Sequence, residues 1–319
     1  MSGPETIGVD LGGTKMLVGV VGPDQKVLHE SRESSTGKTE DEIVEALAAE
    51  LEEARGARPE VVAAGLGIPA TIDHEKGLAI NAVNLEITDV PLRDLLEERS
   101  GLRVFVDNDA NVAALAEFLY GVGKDAKNLV MLTIGTGIGG GLVLNGEIYR
   151  GTIGAGAELG HTVINENGPP CQGTCPNRGC VETYASGTAL AREGLIAADR
   201  NPTSALGIAH DQGEEITGRT VTEAALAGDE AARGVVATAG RHLGVALADF
   251  ANIFEPDVIV IGGGVSAAGE VLLDPAREEL RTRALPPMNR TEVRTAELGP
   301  DAGMIGAAAM ARMELEKSG

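Results

Sequence analysis

Short apolar runs alternate along the chain with longer stretches in which apolar residues recur at helical spacing. The apolar runs predict strands at residues 6–12, 15–21, 61–68 and 102–109. The helical spacing predicts helices at residues 39–56, 90–101 and 110–121. The first helix has a capping Thr39, acidic residues in its first turn and Gly56 near its end. Alternation of strands and helices in this order predicts an α/β sheet.

The second half of the chain repeats this organisation. Residues 127–148 form a strand, a glycine turn and a strand, the same build as residues 6–21, and this predicts one structural device used twice. Further elements are predicted as helices at residues 187–199, 229–256 and 301–317 and as a strand at residues 257–266. No low-complexity linker interrupts the chain, so we expect two lobes that share a hinge near residues 108–112.

Length and hydrophobic content agree with two lobes. A chain of 319 residues with 43% hydrophobic residues can bury more than one core. No charged-then-apolar leader opens the chain, and no apolar run approaches the roughly 20 residues that span a bilayer. We therefore expect a cytoplasmic protein that does not associate with membranes.

The charge balance is strongly acidic. The chain has 26 basic and 48 acidic residues, a net charge of −22. Such a surface repels phosphate backbones, so we expect no nucleic-acid partner. Abundant carboxylates also keep a protein hydrated in high salt, which favours a salt-adapted cytoplasm as the setting.

All three cysteines lie in one loop rich in glycine and proline. Cys171, Cys175 and Cys180 follow His161, which lies ten positions before the first of them. An odd number of thiols in a reducing compartment argues against disulfides. A metal site and three unligated cysteines are the two interpretations that remain.

Three glycine-rich turns follow predicted strands, in "GVDLGGTK", "TIGTGIGGG" and "IGGGVS". Without Cβ atoms, consecutive backbone N–H groups can converge on a phosphate, but any single turn is explained equally well as a hairpin. Asp109 in "NDAN" ends a predicted strand, where it can face a ligand or simply cap the next helix. Sugar hydroxyls need both donors and acceptors, which this chain offers at Asn84, Asn108, Glu158, His161 and Glu182.

Five motifs together resemble the ROK family of sugar kinases, and the chain is most similar to its ATP-dependent glucokinases. They are "GVDLGGTK", "NDAN", "TIGTGIGGG", "GAELGH" with a cysteine loop ending "GCVE", and "IGGGVS". Their order and spacing match the family from about residue 6 to about residue 310. The resemblance implies an α/β, two-lobed actin/hexokinase-like ATPase fold with a zinc-stapled loop. It implies a smaller lobe at residues 1–110, onto which helix 302–316 packs back, and a larger lobe at residues 111–301 with the zinc loop at 161–180.

The resemblance also implies an activity. The γ-phosphoryl group of ATP, bound with Mg²⁺, is transferred to the 6-hydroxyl of a hexose, with glucose the leading choice and Asp109 the general base. The implied nucleotide-binding residues are Asp10 on the metal side, Gly12, Gly13, Thr14, Lys15, Thr136, Gly137, Gly263 and Gly264. The implied sugar ligands are Asn84, Asn108, Asp109, Glu158, His161 and Glu182.

The cysteine loop departs from the family pattern, which usually reads CxCGxxGC after an upstream histidine. Here the first cysteine comes two residues early, at Cys171, and Pro176 replaces a glycine. The resemblance still implies a structural Zn²⁺ held by His161, Cys171, Cys175 and Cys180. We expect replacement of Cys175 or Cys180 by Ser to raise the KM for hexose with little change in the KM for nucleotide.

Two further points bear on function. The family includes sugar-responsive regulators, so a regulator or sensor without kinase turnover is the alternative function. We expect no helix-turn-helix domain here, because the first phosphate turn follows Asp10 closely. Thr88 takes a position that is aromatic in many family glucokinases, which leaves the hexose open. We also expect a homo-oligomer, a dimer or a tetramer.

Overall fold

The computed structural model describes residues 3–82 and 85–318. Its strands are β1 (Thr6–Leu11), β2 (Lys15–Val21), β3 (Val27–Ser34), β4 (Ala63–Ile68), β5 (Ala70–Asp73), β6 (Leu78–Ala82), β7 (Thr88–Val90), β8 (Arg103–Asn108), β9 (Leu129–Ile134), β10 (Ile138–Leu144), β11 (Glu147–Ile148), β12 (Val258–Gly262) and β13 (Glu292–Thr295). Its α-helices are α1 (Glu40–Ala57), α2 (Leu92–Ser100), α3 (Asp109–Tyr120), α4 (Glu182–Ala185), α5 (Gly187–Arg200), α6 (Ala205–Asp211), α7 (Gly218–Leu226), α8 (Glu230–Phe254), α9 (Glu270–Arg283) and α10 (Ala302–Ser318).

The predicted elements are present, and the sequence signals explain where they begin. Thr39 caps α1 through a capping box with Glu42, as its position before an acidic first turn indicates. The predicted terminal helix is α10, and the predicted long helix is α8. Strand β3 has no apolar pattern, because it is largely exposed and is defined by its pairing with β2.

The chain divides into two compact units. The first unit contains Met1–Asp125, Gly141–Ala157 and Glu297–Gly319. The second contains Ala126–Gly140 and Glu158–Ala296. The lobe boundary predicted at residues 110 and 111 stays a prediction, because compact units and moving lobes are different divisions of a chain.

The two five-stranded sheets follow one strand order, which confirms the prediction of one strand–turn–strand arrangement used twice. One five-stranded sheet has the order β3-β2-β1-β4-β8, and the other has the order β11-β10-β9-β12-β13. In the first sheet β1, β4 and β8 run parallel, whereas β2 and β3 are antiparallel to their neighbours. In the other sheet β12 pairs in parallel with β9 and β13. Strands β5, β6 and β7 form a small third sheet.

Helix α10 completes the core of the first unit. Ala307, Met310 and Ala311 pack with buried residues of β4, β8 and α3. The helix lies very close to the sheet, since a Cβ on Gly8 would come within 1.9 Å of Met304 O and a Cβ on Gly65 within 1.9 Å of Ala307 O. Only glycine fits at these two sheet positions.

No helix within the described ranges, 3–82 and 85–318, combines the length and apolar character that a membrane crossing requires.

Candidate active site and metal-binding cluster

The first glycine turn lies at the carboxyl end of β1. Asp10 is on that strand, and the turn closes with Gly12 N donating to Lys15 O at 2.8 Å. Ser35 Oγ donates to Gly12 O at 2.6 Å and fixes the turn from outside. The structure therefore brings Asp10, Gly12, Gly13, Thr14 and Lys15 together in one short segment.

Asn108 and Asp109 lie where β8 ends and α3 begins. The cap of α3 is Asn108, whose Oδ1 accepts from Ala110 N at 2.9 Å and from Asn111 N at 3.3 Å. The alternative that Asp109 merely caps the helix is therefore wrong, since Asp109 is the first residue within it. Its Oδ1 accepts from Ala110 N at 2.9 Å, which orients the carboxylate at the helix start.

Asp10 and Asp109 share one edge of the first sheet. Parallel strands bring their carboxyl ends to the same edge, where ligands bind in open α/β sheets. Burial, and then the charge of Asp109, raise the pKa of Asp10 to about 6, and Lys15 opposes this rise. A buried carboxylate beside a second one attracts either a proton or a cation, which is the setting of a divalent metal site.

The sequence analysis missed three residues at this edge, Asp107, Arg150 and Gly303. Asp107 is buried and accepts from Arg150 Nε at 2.7 Å and from Asn111 Nδ2 at 2.9 Å. Gly303, in the first turn of α10, lies so close that a Cβ there would come within 2.6 Å of the Asp10 carboxyl carbon. Asp107 stands in the "VDNDAN" segment, which was a usable signal, but nothing in sequence spacing pairs it with Arg150.

The second and third glycine turns meet within the second unit. Gly135 N donates to Gly137 O at 2.9 Å and closes the turn between β9 and β10, which contains Thr136. A Cβ on Gly263 would lie 2.5 Å from Ile134 O, so the turn after β12 packs directly on the end of β9. Gly264 follows at the start of a 3-10 turn, Gly264–Ala268.

Glu182 lies against the second turn. Its side chain is buried at the start of α4, and its Oε2 accepts from Ile138 N at 2.7 Å. The sequence predicted Glu182 only as a sugar ligand, so this contact is an additional finding. Its role as a sugar ligand stays a prediction.

Glu158 precedes a 3-10 turn, Leu159–His161, and His161 is the last residue of that turn. Glu158 Oε2 is 4.0 Å from His161 Nε2, and the Glu158 side chain is 63% exposed. The pair thus presents a carboxylate and an imidazole nitrogen side by side. The remaining predicted sugar ligand, Asn84, lies outside the described residues.

The cysteine loop brings its four predicted ligands together. The ligand atoms of His161, Cys171, Cys175 and Cys180 all lie within 4.8 Å of one another. His161 Nδ1 is 3.4 Å from Cys171 Sγ, and the Sγ atoms of Cys175 and Cys180 are 4.0 Å apart, far longer than a disulfide.

The geometry and chemistry of this cluster fit a tetrahedral zinc ion. At a Zn–S bond length of about 2.3 Å, tetrahedral sulfur ligands lie about 3.8 Å apart. Burial and the neighbouring thiols raise the pKa of Cys171 to about 12, and burial is also the main reason that the pKa of Cys180 is raised. Thiols packed in this way hold their protons unless a cation replaces them. Since Nδ1 of His161 faces the sulfur atoms, Nε2 is left on the Glu158 side.

A model of the ROK family matches residues 6–314. The chain belongs to the ROK family. A glucokinase of Halalkalibacterium halodurans is 40% identical over 308 residues, covering 94% of this chain and 92% of that one. The crystal structure of a ROK glucokinase from Streptomyces griseus with glucose and AMPPNP has a TM-score of 0.85 and 37% identity, covering 97% of this chain and all of that one.

Regulators of the ROK family are also similar to this chain. A xylose repressor of Caldicellulosiruptor bescii is 31% identical over 258 residues, covering 78% of this chain and 62% of the repressor. The glucokinases are the more similar group, and they match this ROK protein over nearly their whole length. The actin/hexokinase-like fold expected from the motifs is confirmed by the Streptomyces griseus structure and by that of a ROK hexokinase from Thermus thermophilus, which has a TM-score of 0.79 and 34% identity, covering 98% of this chain and all of that one.

Proposed function

We propose that this ROK protein is an ATP-dependent hexose kinase with glucose as its leading substrate. One observation carries the proposal: Asp109 starts a helix at the strand edge that also holds Asp10 and the first glycine turn. A carboxylate for the sugar proton and a carboxylate for a cation thus share one edge. The glucokinases of high identity support the same activity.

Phosphoryl transfer asks the protein mainly for alignment and charge stabilisation. In our proposal Asp109 accepts the proton of the hexose 6-hydroxyl as that oxygen bonds to the γ-phosphorus. The bond from the γ-phosphorus to the bridging oxygen of ADP breaks in the same step, and ADP leaves. The Ala110 N–H bond at Asp109 Oδ1 orients the carboxylate that accepts the proton.

The glycine turns are the proposed nucleotide-binding segments. The backbone N–H groups around Gly12, Gly13 and Thr14 and the ammonium of Lys15 would hold phosphate oxygens, as would the turn at Thr136 and Gly137. Gly263 and Gly264 would lie beside the nucleotide. Asp10 would hold Mg²⁺, which neutralises developing phosphate charge when bound.

The proposed hexose ligands supply both donors and acceptors. They are Asn84, Asn108, Glu158, His161 and Glu182, with Asp109 at the reacting hydroxyl. The Nδ2 group of Asn108 already donates to Ala70 O at 3.3 Å, which holds this side chain at the strand end. A closed Cys₃His zinc site would be structural and would fix the loop from which Glu158, His161 and Glu182 extend.

Several assignments rest on the resemblance and on composition. We propose that glucose is preferred over other hexoses and ATP over other phosphoryl donors. A homo-oligomer, a cytoplasmic location and the lack of a nucleic-acid partner belong to the same proposal. The sugar-responsive regulator remains the alternative, supported by the similarity to the xylose repressor.

Hexose-dependent ADP release separates these functions. We expect purified protein with Mg·ATP to release ADP on addition of glucose, and more slowly with mannose, fructose or N-acetylmannosamine. A regulator would bind a sugar without ADP release. Binding of glucose with no turnover on any hexose of the panel would reject the kinase and favour the regulator.

A further inference from the structure

Three residues in the segment that follows the last cysteine form hydrogen bonds with the second glycine turn. Glu182 Oε2 accepts from Ile138 N at 2.7 Å. Gly187 N donates to Gly135 O at 2.7 Å, and Thr188 Oγ1 donates to Thr136 O at 2.9 Å. Thr188 N also donates to Thr136 O, at 3.4 Å, so four hydrogen bonds come from residues 182–188, the stretch that contains α4 and the start of α5.

Of these four hydrogen bonds, only the one to Glu182 has a carboxylate as its acceptor. The carboxylate is buried, and a hydrogen bond to an ionised acceptor is roughly twice as strong as one between neutral groups. Glu182 packs tightly against the turn, because a Cβ on Gly137 would lie 2.4 Å from Glu182 Oε2. Glu182 therefore sets both the position of the Ile138 amide and the course of the backbone at Gly137.

The same carboxylate is tied to the cysteine cluster. Cys180 is fully buried two residues before Glu182, and its carbonyl accepts from Thr183 N at 3.0 Å and from Thr183 Oγ1 at 2.8 Å. These bonds fix the start of α4, from which Glu182 extends.

We infer that Glu182 is a positioning residue for the nucleotide, acting through the second glycine turn, and not only a ligand for the sugar. This inference rests on the proposed function, in which the turn at Thr136 and Gly137 holds phosphate. Glu182 then links the cysteine cluster to the nucleotide-binding turn within one unit. Loss of the cluster should weaken nucleotide binding too, in contrast to the expectation from sequence that only the hexose KM rises.

Nucleotide binding without sugar tests the inference directly. We expect Glu182→Ala to raise the Kd for Mg·ADP about tenfold in calorimetry, because the Ile138 amide loses a charged acceptor. Glu182→Gln keeps a neutral acceptor and should recover part of the loss. Hydrogen exchange at Ile138 should quicken in Glu182→Ala, a change in the turn that is measured without any substrate.

Two matched variants separate the roles. Glu158→Gln alters a carboxylate that is also a proposed sugar ligand but has an exposed side chain beside His161, so it should weaken glucose binding and leave the Kd for Mg·ADP unchanged. Thr188→Val removes a different contact on the same turn, and should raise the Kd for Mg·ADP severalfold while glucose affinity is kept. This second variant keeps the test decisive if Glu182→Ala does not fold.

The inference is overturned if Glu182→Ala and Thr188→Val both bind Mg·ADP as the unaltered protein does, with unchanged exchange at Ile138. Failure of the proposed function looks different, because the unaltered protein itself would then bind no Mg·ADP and phosphorylate no hexose. Cys180→Ser extends the test to the cluster. It should raise the Kd for Mg·ADP and the exchange rate at Ile138 together.

Discussion

Asp10 and Asp109 are two carboxylates at one sheet edge with different surroundings. Asp10 is packed under the start of α10 beside Gly303, whereas Asp109 lies in the first turn of α3 and accepts from Ala110 N. The proposed division of work follows from these surroundings. In this proposal Asp10 binds the cation and Asp109 accepts the hydroxyl proton.

Replacement of Asp109 by Asn should remove the general base and little else. We expect Asp109→Asn to lower kcat by at least about 10² to 10⁴, with glucose affinity largely kept. Steady-state kinetics and calorimetry with glucose measure the two effects. Near-normal turnover in this variant would show that Asp109 is not the general base.

The raised pKa of Asp10 predicts that stability falls and Mg²⁺ affinity rises over the same range of pH. Its pKa rises from the ordinary 3.8 to about 6, so the folded state favours the protonated form. The contribution of Asp10 to stability is therefore complete below pH 3.8 and is lost as pH rises through about 6. Because Mg²⁺ competes with this proton, Mg²⁺ affinity should rise over the same pH range.

The variant Asp10→Asn tests both the effect on stability and the effect on Mg²⁺ binding. Without Mg²⁺ at pH 7, we expect the variant to melt a few degrees higher than the unaltered protein, because a costly buried charge is gone. Its melting temperature should no longer respond to Mg²⁺, and its activity should be lost. A variant that melts lower at pH 7, or that keeps the Mg²⁺ response, would show that Asp10 is not the buried acid described.

At the scale of elements, segment 149–157 is attached to the end of β8 by one ion pair. Arg150 donates to the buried Asp107, which also holds Asn111 in the first turns of α3. The segment additionally lies against β5, where a Cβ on Gly154 would overlap Ile72 O. The helix that bears Asp109 is therefore braced by residues that touch no proposed substrate.

Removal of the arginine should leave the buried Asp107 carboxylate with hydrogen-bond donors but without the Arg150 guanidinium. We expect Arg150→Met to lower the free energy of unfolding by about 3 kcal/mol, and kcat to fall as the start of α3 loosens. Arg150→Lys keeps the charge and should lose less. Chemical denaturation alongside kinetics measures both, and equal losses in the two variants would argue that packing, rather than charge, is what matters.

The cysteine loop can be tested through its zinc content. We expect about one zinc per chain by elemental analysis, retained through turnover. Cys175→Ser should lose the metal and raise the KM for hexose, because Glu158 and His161 lose their support. Active protein without zinc would mean that the four side chains cluster for another reason.

The sequence predicted many elements whose patterns are local, although it did not predict helices α6, α7 and α9, and it missed structure that depends on partners. The capped helix α1 and the turns after β1 and β9 follow from residues a few positions apart. Strand β3 was missed, because only its pairing with β2 makes it a strand. Likewise the pair of Asp107 and Arg150, 43 positions apart, exists only once the fold has formed.

At the scale of the whole molecule, we expect the net charge to govern how the melting temperature responds to salt. A net charge of −22 repels itself in the compact state, and salt screens this repulsion. We expect the melting temperature to rise between about 0.1 M and about 1 M NaCl, where the screening length falls from about 10 Å to about 3 Å. The rise should shrink as the pH is lowered toward the isoelectric point near 4.6. A flat response at pH 7 would contradict the prediction.

The close packing of α10 on β1 and β4 has a consequence for biosynthesis. A ribosome makes Thr6–Leu11 and Ala63–Ile68 long before Ala302–Ser318, yet the sheet at Gly8 and Gly65 packs directly against that late helix. The first unit therefore cannot finish folding on the ribosome as its own strands emerge. The second unit, Ala126–Gly140 and Glu158–Ala296, is complete earlier in translation. The unit whose strands are translated first is thus completed last, and until α10 has been made its open sheet exposes apolar surface that favours aggregation.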